Sequence, residues 1–405
     1  MKHTIAIMVL ILCAGCAGPT TVGKDARAAA YQRMDAINAS LAAQQAKQQF
    51  EVGQLEHAIG TIDAALARFN ENAEYHLLRG RILLELHRLD SAKKSFTRAI
   101  ELAPESAEPY YFLGVLHQRW SEDETAIAAY KKAMQNDPPH PQYFMAVAES
   151  YVALGQLDDA LQLLLQSGKE FQHQPSVPAL LGQIYLLKGE AGKAAKHLSD
   201  SRLLGNDGAE ILTSLAAAQF HAAMYAQCLM TLQQLQDTTG DLAPIHQRMR
   251  GKCFAVTGRI QQGRDICLEV LRITPEDTSA WLDLGYIAWQ MGDYERLGHC
   301  GRRLMQLNPA LPEGCLFEGI AAIHAGKGAI AHGKLSSLQS DNDIDGLDAL
   351  LATLSVNRAK TDAETAITPN MAPQIAEGAS ERHVRETADR SQPLVGVPPH
   401  TTHAP

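Results

Sequence analysis

Apolar and polar positions alternate along this chain with a helical rhythm, and the rhythm itself repeats. Gly80, Gly114, Ala148 and Gly182 stand 34 residues apart, and so do Ala92, Ala126, Ala160 and Ala194. A 34-residue frame laid on these positions starts at 39, 73, 107, 141, 175 and 209. One extra residue near Thr238–Gly240 shifts it, and it resumes at 244, 278 and 312. Frame position eight is small in all nine units: Ala46, Gly80, Gly114, Ala148, Gly182, Ala216, Gly251, Gly285 and Gly319. Position twenty is small in every unit but one, where Leu297 stands. Four places later come Phe96, Tyr130, Leu164, Leu198 and Leu232, on the same helix face as the small residue before them. Each unit therefore predicts two amphipathic helices. The small residue midway along the first lets the second approach, and the large residue fills the seam. Gly53, Gly155, Gly189, Gly258, Gly292 and Gly326 fall where the first helix must end and predict a left-handed cap there. Pro104, Pro138, Pro275 and Pro309 close units where the second helix must stop.

These residues resemble the tetratricopeptide repeat family. The fullest match is Trp281-Leu282-Asp283-Leu284-Gly285, then Gly292-Asp293-Tyr294, then Asn308-Pro309. Gly80, Ala92, Phe96, Ala99 and Pro104 form a second match, and Tyr110, Gly114, Ala126, Tyr130, Ala133 and Pro138 a third. The resemblance implies an all-α, right-handed solenoid of about nine helix-turn-helix repeats over residues 39–345. It also implies that first helices line a concave groove that takes a protein or peptide, with frame positions two, five, nine, twelve and thirteen facing it. Those positions supply the candidate partner-binding residues: Tyr111 and Arg119 in the third unit, Arg248 and Lys252 in the seventh, Tyr286 and Trp289 in the eighth. Arg248 and Lys252 are four apart, a like-charged pair that costs a few tenths of a kcal/mol unless an anion lies near. An aromatic pair beside a cationic pair suits an extended peptide with an apolar anchor and a carboxylate. Trp289 has an alternative place, packed between neighbouring first helices. Some relatives hold an acidic chaperone tail with Lys and Asn at positions five and nine. Position five here reads Ala43, Leu77, Tyr111, Met145, Ala179, Thr213, Arg248, Leu282 and Leu316, so that clamp is missing.

The flanks carry other signals. Lys2 and His3 precede an apolar run, Ile5–Leu12, followed by Cys13-Ala14-Gly15-Cys16. The run is far shorter than the ~20 residues of a membrane span, and residues 1–15 read as a secretory signal peptide. The small pair before Cys16 resembles a bacterial lipobox, although Cys13 stands where Leu is usual. The resemblance implies lipidation at Cys16 and an outer-membrane anchor facing the periplasm. Residues 16–38 are expected to form a tether, up to 23, and an Ala-rich leading helix. Leu347, Leu350, Leu351 and Leu354 recur at helical spacing and predict a capping helix over 346–359. The last 46 residues hold six prolines and little periodic apolar content, and are expected to be a disordered tail.

Composition narrows the function. With 36 Lys+Arg against 45 Asp+Glu, the formal charge of −9 argues against nucleic-acid binding. The Gly258–Gly263 spacing imitates a phosphate loop but lacks its Lys and Ser/Thr. No catalytic motif, cofactor or metal site is expected. Cys228, Cys253, Cys267, Cys300 and Cys315 default to buried small apolar residues. In an exported chain, Cys253 with Cys267 and Cys300 with Cys315 are the alternatives for bridging. The expectation is a non-catalytic, protein-binding scaffold of the bacterial cell envelope, serving assembly of a pilus, a secretion channel or another envelope complex. The alternatives are a docking regulator of cell-wall hydrolases and, more remotely, an enzyme with an unrecognised site.

Overall fold

A computed structural model describes residues 21–166, 170–171, 173–336 and 338 of the chain. The signal peptide, Cys16, the capping helix expected over 346–359 and the tail expected from 360 lie outside the described residues. Among those described there are eighteen helices and no strand. They are α1 Thr21–Glu51, α2 Leu55–Arg68, α3 Ala73–Glu85, α4 Leu89–Leu102, α5 Ala107–Arg119, α6 Asp123–Asn136, α7 Pro141–Ala153 and α8 Leu157–Gln166. Then follow α9 Ser176–Leu187, α10 Ala191–Leu203, α11 Ala209–His221, α12 Tyr225–Thr239, α13 Pro244–Val256, α14 Ile260–Ile273, α15 Thr278–Met291, α16 Tyr294–Leu307, α17 Pro312–His324 and α18 Gly328–Ser336. The helices fall into two compact bodies, α1–α8 up to Gln166 and α9–α18 after it. Within each, a helix packs against the next in sequence, and first helices also touch the first helix of the following unit, as α3 does α5 and α13 does α15. That is the architecture of an all-α repeat solenoid.

Local chemistry sets the helix ends. Pro141, Pro244 and Pro312 open α7, α13 and α17, where a missing N–H costs nothing. Asn72, Asp277 and Asp293 cap α3, α15 and α16 by accepting from the backbone N–H three residues on. The turn after each first helix falls at frame position fifteen, and its φ is positive in every unit. Six units use the glycines named above, whereas His87, Ser121 and Ala223 take φ of 56°, 58° and 56° in the other three.

The seams follow from size. Phe96, Tyr130, Leu164, Leu198 and Leu232 are all fully buried. A Cβ added to Gly114 would stand 2.5 Å from the Tyr130 ring, and one added to Gly182 would stand 2.5 Å from Leu198 Cγ. Gly80 meets Phe96 in the same way. The eighth unit departs from this rule. Leu297 occupies position twenty and Gly301 stands where the large seam residue should be. The space against Gly285 is filled instead by Phe317 from α17, the first helix of the next unit. Gly301 in turn lets α17 come close: a Cβ there would lie 2.7 Å from the Gly314 carbonyl oxygen.

The leading segment differs from expectation. Residues 21–23 are helical, so they are not tether, and leading helix and first repeat helix merge in the single 31-residue α1. No proline or glycine interrupts residues 24–52, so nothing local breaks the helix before Gly53.

Candidate functional site

In the second body, α13 carries Arg248 and Lys252 one turn apart, and α15 carries Asp283 opposite them. Asp283 is nearly buried, with 7% of its side chain exposed. Its carboxylate lies 3.6 Å from Arg248 Nη1 and 3.7 Å from Lys252 Nζ. Asp277, the N-cap of α15, lies 3.9 Å from Arg248 Nε. The anion that the like-charged pair requires is therefore built into the fold. None of these separations is a hydrogen bond, so both cations keep donors for a second carboxylate at their exposed edges. Lys252 also stands over the Phe220 ring of α11, 5.6 Å from its centroid. Partial burial, and then the Lys252 ammonium, hold His221 below its ordinary pKa range.

The expected place of Trp289 is corrected. Trp289 is fully buried in the core around α15, with Leu284, Ile287 and Phe317, and offers no surface to a partner. Seven of the eight residues from Leu282 to Trp289 are buried, because α13, α14 and α16 pack against this helix and Phe317 of α17 fills the space at Gly285. Of its expected groove positions, Leu282 and Trp289 are buried, while Ser279, Tyr286 and Gln290 stay partly exposed. The alternative place, between packed helices, is the observed one. Tyr286 is half-buried and meets Phe317 edge-on, ring centroids 5.0 Å apart. Trp281 is half-buried, and its Nε1 donates to the Pro275 carbonyl at 2.9 Å.

In the first body, Tyr111 and Arg119 are engaged inside the array. Tyr111 accepts from Gln142 Nε2 at 3.0 Å and packs against Tyr130 and Tyr143. Burial, the largest influence, raises its phenol above the ordinary value. Arg119 donates to the Leu84 carbonyl at 2.9 Å and lies 3.7 Å from Glu85, tying α5 to the end of α3. These two and the Arg248–Lys252 pair belong to different bodies. Cys16 lies outside the described residues.

Residues 44–107, 79–141 and 124–184 match the tetratricopeptide repeat family. These residues carry tetratricopeptide repeats. Tetratricopeptide repeats are protein-interaction modules, and the array is a scaffold for binding protein. The repeat protein is 32% identical over 89 residues to an Hsp70-Hsp90 organizing protein of Triticum aestivum, 22% of this chain and 15% of that one. It is 31% identical over 74 residues to a probable biofilm formation methyltransferase of Pseudomonas putida, 18% of each chain. The chain thus spans less than a fifth of the length of the curated relatives it matches. Among solved structures it is similar to the pilF protein of Pseudomonas aeruginosa, at 18% identity and a TM-score of 0.44, over 53% of this chain and 96% of that one.

Two features of the repeat protein escaped the sequence reading. Asp283 was legible only as part of a family motif, because its burial beside two cations needs α13 and α15 side by side. Arg81 on α3 lies between Phe50 of α1 and Phe112 of α5, 5.4 and 5.0 Å from their ring centroids. Its frame position marked it as groove-facing, but the rings on both sides come from neighbouring units. The cysteines are also grouped differently: Cys228 and Cys253 are buried in one core, while Cys267 and Cys300 lie in the next.

Proposed function

We propose that this tetratricopeptide repeat protein is a non-catalytic scaffold exported to a bacterial envelope. Acyl chains on Cys16 hold it to the periplasmic face of the outer membrane. There it binds protein during assembly of a pilus, a secretion channel or another envelope complex. The reading is carried by the sequence Ala14-Gly15-Cys16 after a short apolar run, placed ahead of a repeat array. Two or three acyl chains anchor stably where a single chain does not. The binding surface is the exposed edge of Arg248 and Lys252 beside Tyr286, where a carboxylate of the bound protein competes with Asp283 for the two cations. Trp289 supports this surface from within the core.

Two measurements test the reading. Cys16→Ser should abolish palmitate incorporation and release the protein from washed membranes; a variant that still labels and sediments with membranes refutes the anchor. Capture from a periplasmic extract should return pilus, secretion or envelope-assembly subunits, and Lys252→Ala should weaken their binding at least several-fold. Recovery of wall hydrolases instead would transfer the chain to a regulatory role.

A further inference from the structure

Arg79 and Arg81 stand two residues apart on α3 and so lie on different faces of the helix. Only the first is satisfied within the fold. Arg79 Nε donates to Asp63 Oδ1 of α2 at 2.6 Å, and its Nη1 donates to Ser95 Oγ of α4 at 2.8 Å. Arg81 has no hydrogen bond or ion pair among the described residues. Its guanidinium carbon stands 5.4 Å from the centre of the Phe50 ring of α1 and 5.0 Å from that of Phe112 of α5. Phe112 is backed in turn by the Phe96 ring of α4, stacked at 5.8 Å with 14° between the planes. Rings on both sides thus hold the guanidinium in one place. Arg81 is half-buried, and none of its nitrogens is sealed from solvent. The carboxylates beside it are already taken. Glu85, one turn further along α3, lies 3.7 Å from Arg119 Nη2, and Glu51, next to Phe50, lies 4.0 Å from Lys47 Nζ. Arg81 is left without a counter-charge.

We propose that Phe50, Arg81 and Phe112 form a binding site for the carboxylate of an Asp or Glu side chain in an extended segment of a partner protein. The site belongs to the first body and requires neither the lipid anchor nor the Arg248–Lys252 surface. A guanidinium presents a planar fork of N–H donors that a carboxylate meets with two parallel hydrogen bonds. It is also weakly hydrated, so flanking rings remove little of its solvation while leaving the donors open. Fixing a long side chain beforehand removes an entropy cost that binding would otherwise carry. Charge selects the ligand. The single unbalanced positive charge matches a carboxylate, whereas a phosphate, with a charge near −2, would add repulsion from Glu51 and Glu85. Length follows from the helices. Neighbouring helix axes stand about 8–10 Å apart, so a strand crossing α1, α3 and α5 spans about 20 Å, or roughly six residues at 3.3 Å each.

The test uses the chain from residue 16 onward with Cys16→Ser, and a phage library of random seven-residue peptides fused to coat protein at their C-termini. No peptide carboxyl terminus is free, so any acidic group selected is a side chain. Clones that bind this chain are sorted by whether they still bind after Arg81→Lys, which keeps the charge and removes the fork. The expected result is a class lost in Arg81→Lys that carries Asp or Glu at one fixed position. Synthetic, amidated peptides of this class are then followed by fluorescence anisotropy. Replacing the acidic residue by its amide should weaken binding at least tenfold to the original chain and less than twofold to Arg81→Lys. Phe50→Leu, which keeps the guanidinium and removes one ring, should weaken binding several-fold. Circular dichroism melts establish that each variant folds, and Arg81→Gln replaces Arg81→Lys if that variant does not. The absence of any Arg81-dependent class overturns the proposal, as does a class without an acidic residue or equal losses from the amide in both chains. Unchanged affinity in Phe50→Leu overturns it too, because the rings then position nothing. Lys252→Ala should bind these peptides as the original chain does; a loss there places them on the second body and also refutes the site. Failure of the Arg248–Lys252 surface or of the anchor leaves this result standing.

Discussion

The seam rule makes one substitution act with opposite signs at two glycines of the first body. Gly60, midway along α2, is exposed, and a Cβ there meets nothing within 4 Å. Gly60→Ala should therefore gain about 1 kcal/mol, the difference in helix propensity. Gly114 sits midway along α5, and its Cβ would stand 2.5 and 2.6 Å from Tyr130 Cε1 and Cδ1. Ordinary contact needs roughly 1 Å more. The ring cannot swing aside: Tyr130 is fully buried, and its hydroxyl donates to Gln118 Oε1 at 2.6 Å. Gln118 in turn donates to Ser150 Oγ at 2.9 Å. Overpacking of this kind costs about 2–3 kcal/mol, and the propensity gain of about 1 kcal/mol returns part of it. The net loss for Gly114→Ala is about 1–2 kcal/mol. Urea unfolding followed by circular dichroism should move the midpoint up for Gly60→Ala and down for Gly114→Ala. In a melt the shifts should be about 2–4 °C per kcal/mol. Tyr130→Leu in the Gly114→Ala background should restore part of the loss, because the ring edge that clashes is gone. Equal midpoints for the two single variants, or a gain at Gly114, would refute the close approach of α5 and α6.

Replacing His87, Ser121 or Ala223 by glycine should stabilise by about 0.5–1 kcal/mol each, because these exposed residues hold positive φ without a compensating contact; unchanged urea midpoints would count against strain at these turns. Trp289→Ala should cost about 3–5 kcal/mol by emptying a fully enclosed site, read as a large fall in melting temperature. Asp283→Asn should cost about 1–2 kcal/mol, less than a fully buried pair because Arg248 and Lys252 are 26% and 31% exposed; raising the salt concentration should shrink the loss. Burial lowers the pKa of His197 and His246, so the unfolded chain takes up protons first as pH falls. Stability from these two is present above the unfolded value near 6.5 and declines below it, and His197→Gln with His246→Gln should flatten the fall of the urea midpoint between pH 7.5 and 5.5.

The repeat was written in the sequence because it is a local property. A small residue at position eight, a large one at position twenty-four and a turn residue at fifteen recur at fixed spacing, and helix geometry alone converts that spacing into faces and caps. The first helices begin at Ala73, Ala107, Pro141, Ala209, Pro244, Thr278 and Pro312, on the frame's own starts. The binding residues were less legible because burial is a property of neighbours. Trp289 occupies a groove-facing frame position, yet surrounding helices cover it. Arg248 and Lys252 read as an unbalanced cationic pair until α15 sets Asp283 between them. Phe317 replaces the missing seam residue at Gly301 from one unit further on. Spacing along one helix fixes which residues share a face; only the packed array decides what that face meets, because ion pairs and ring contacts between units depend on how far one helix stands from the next.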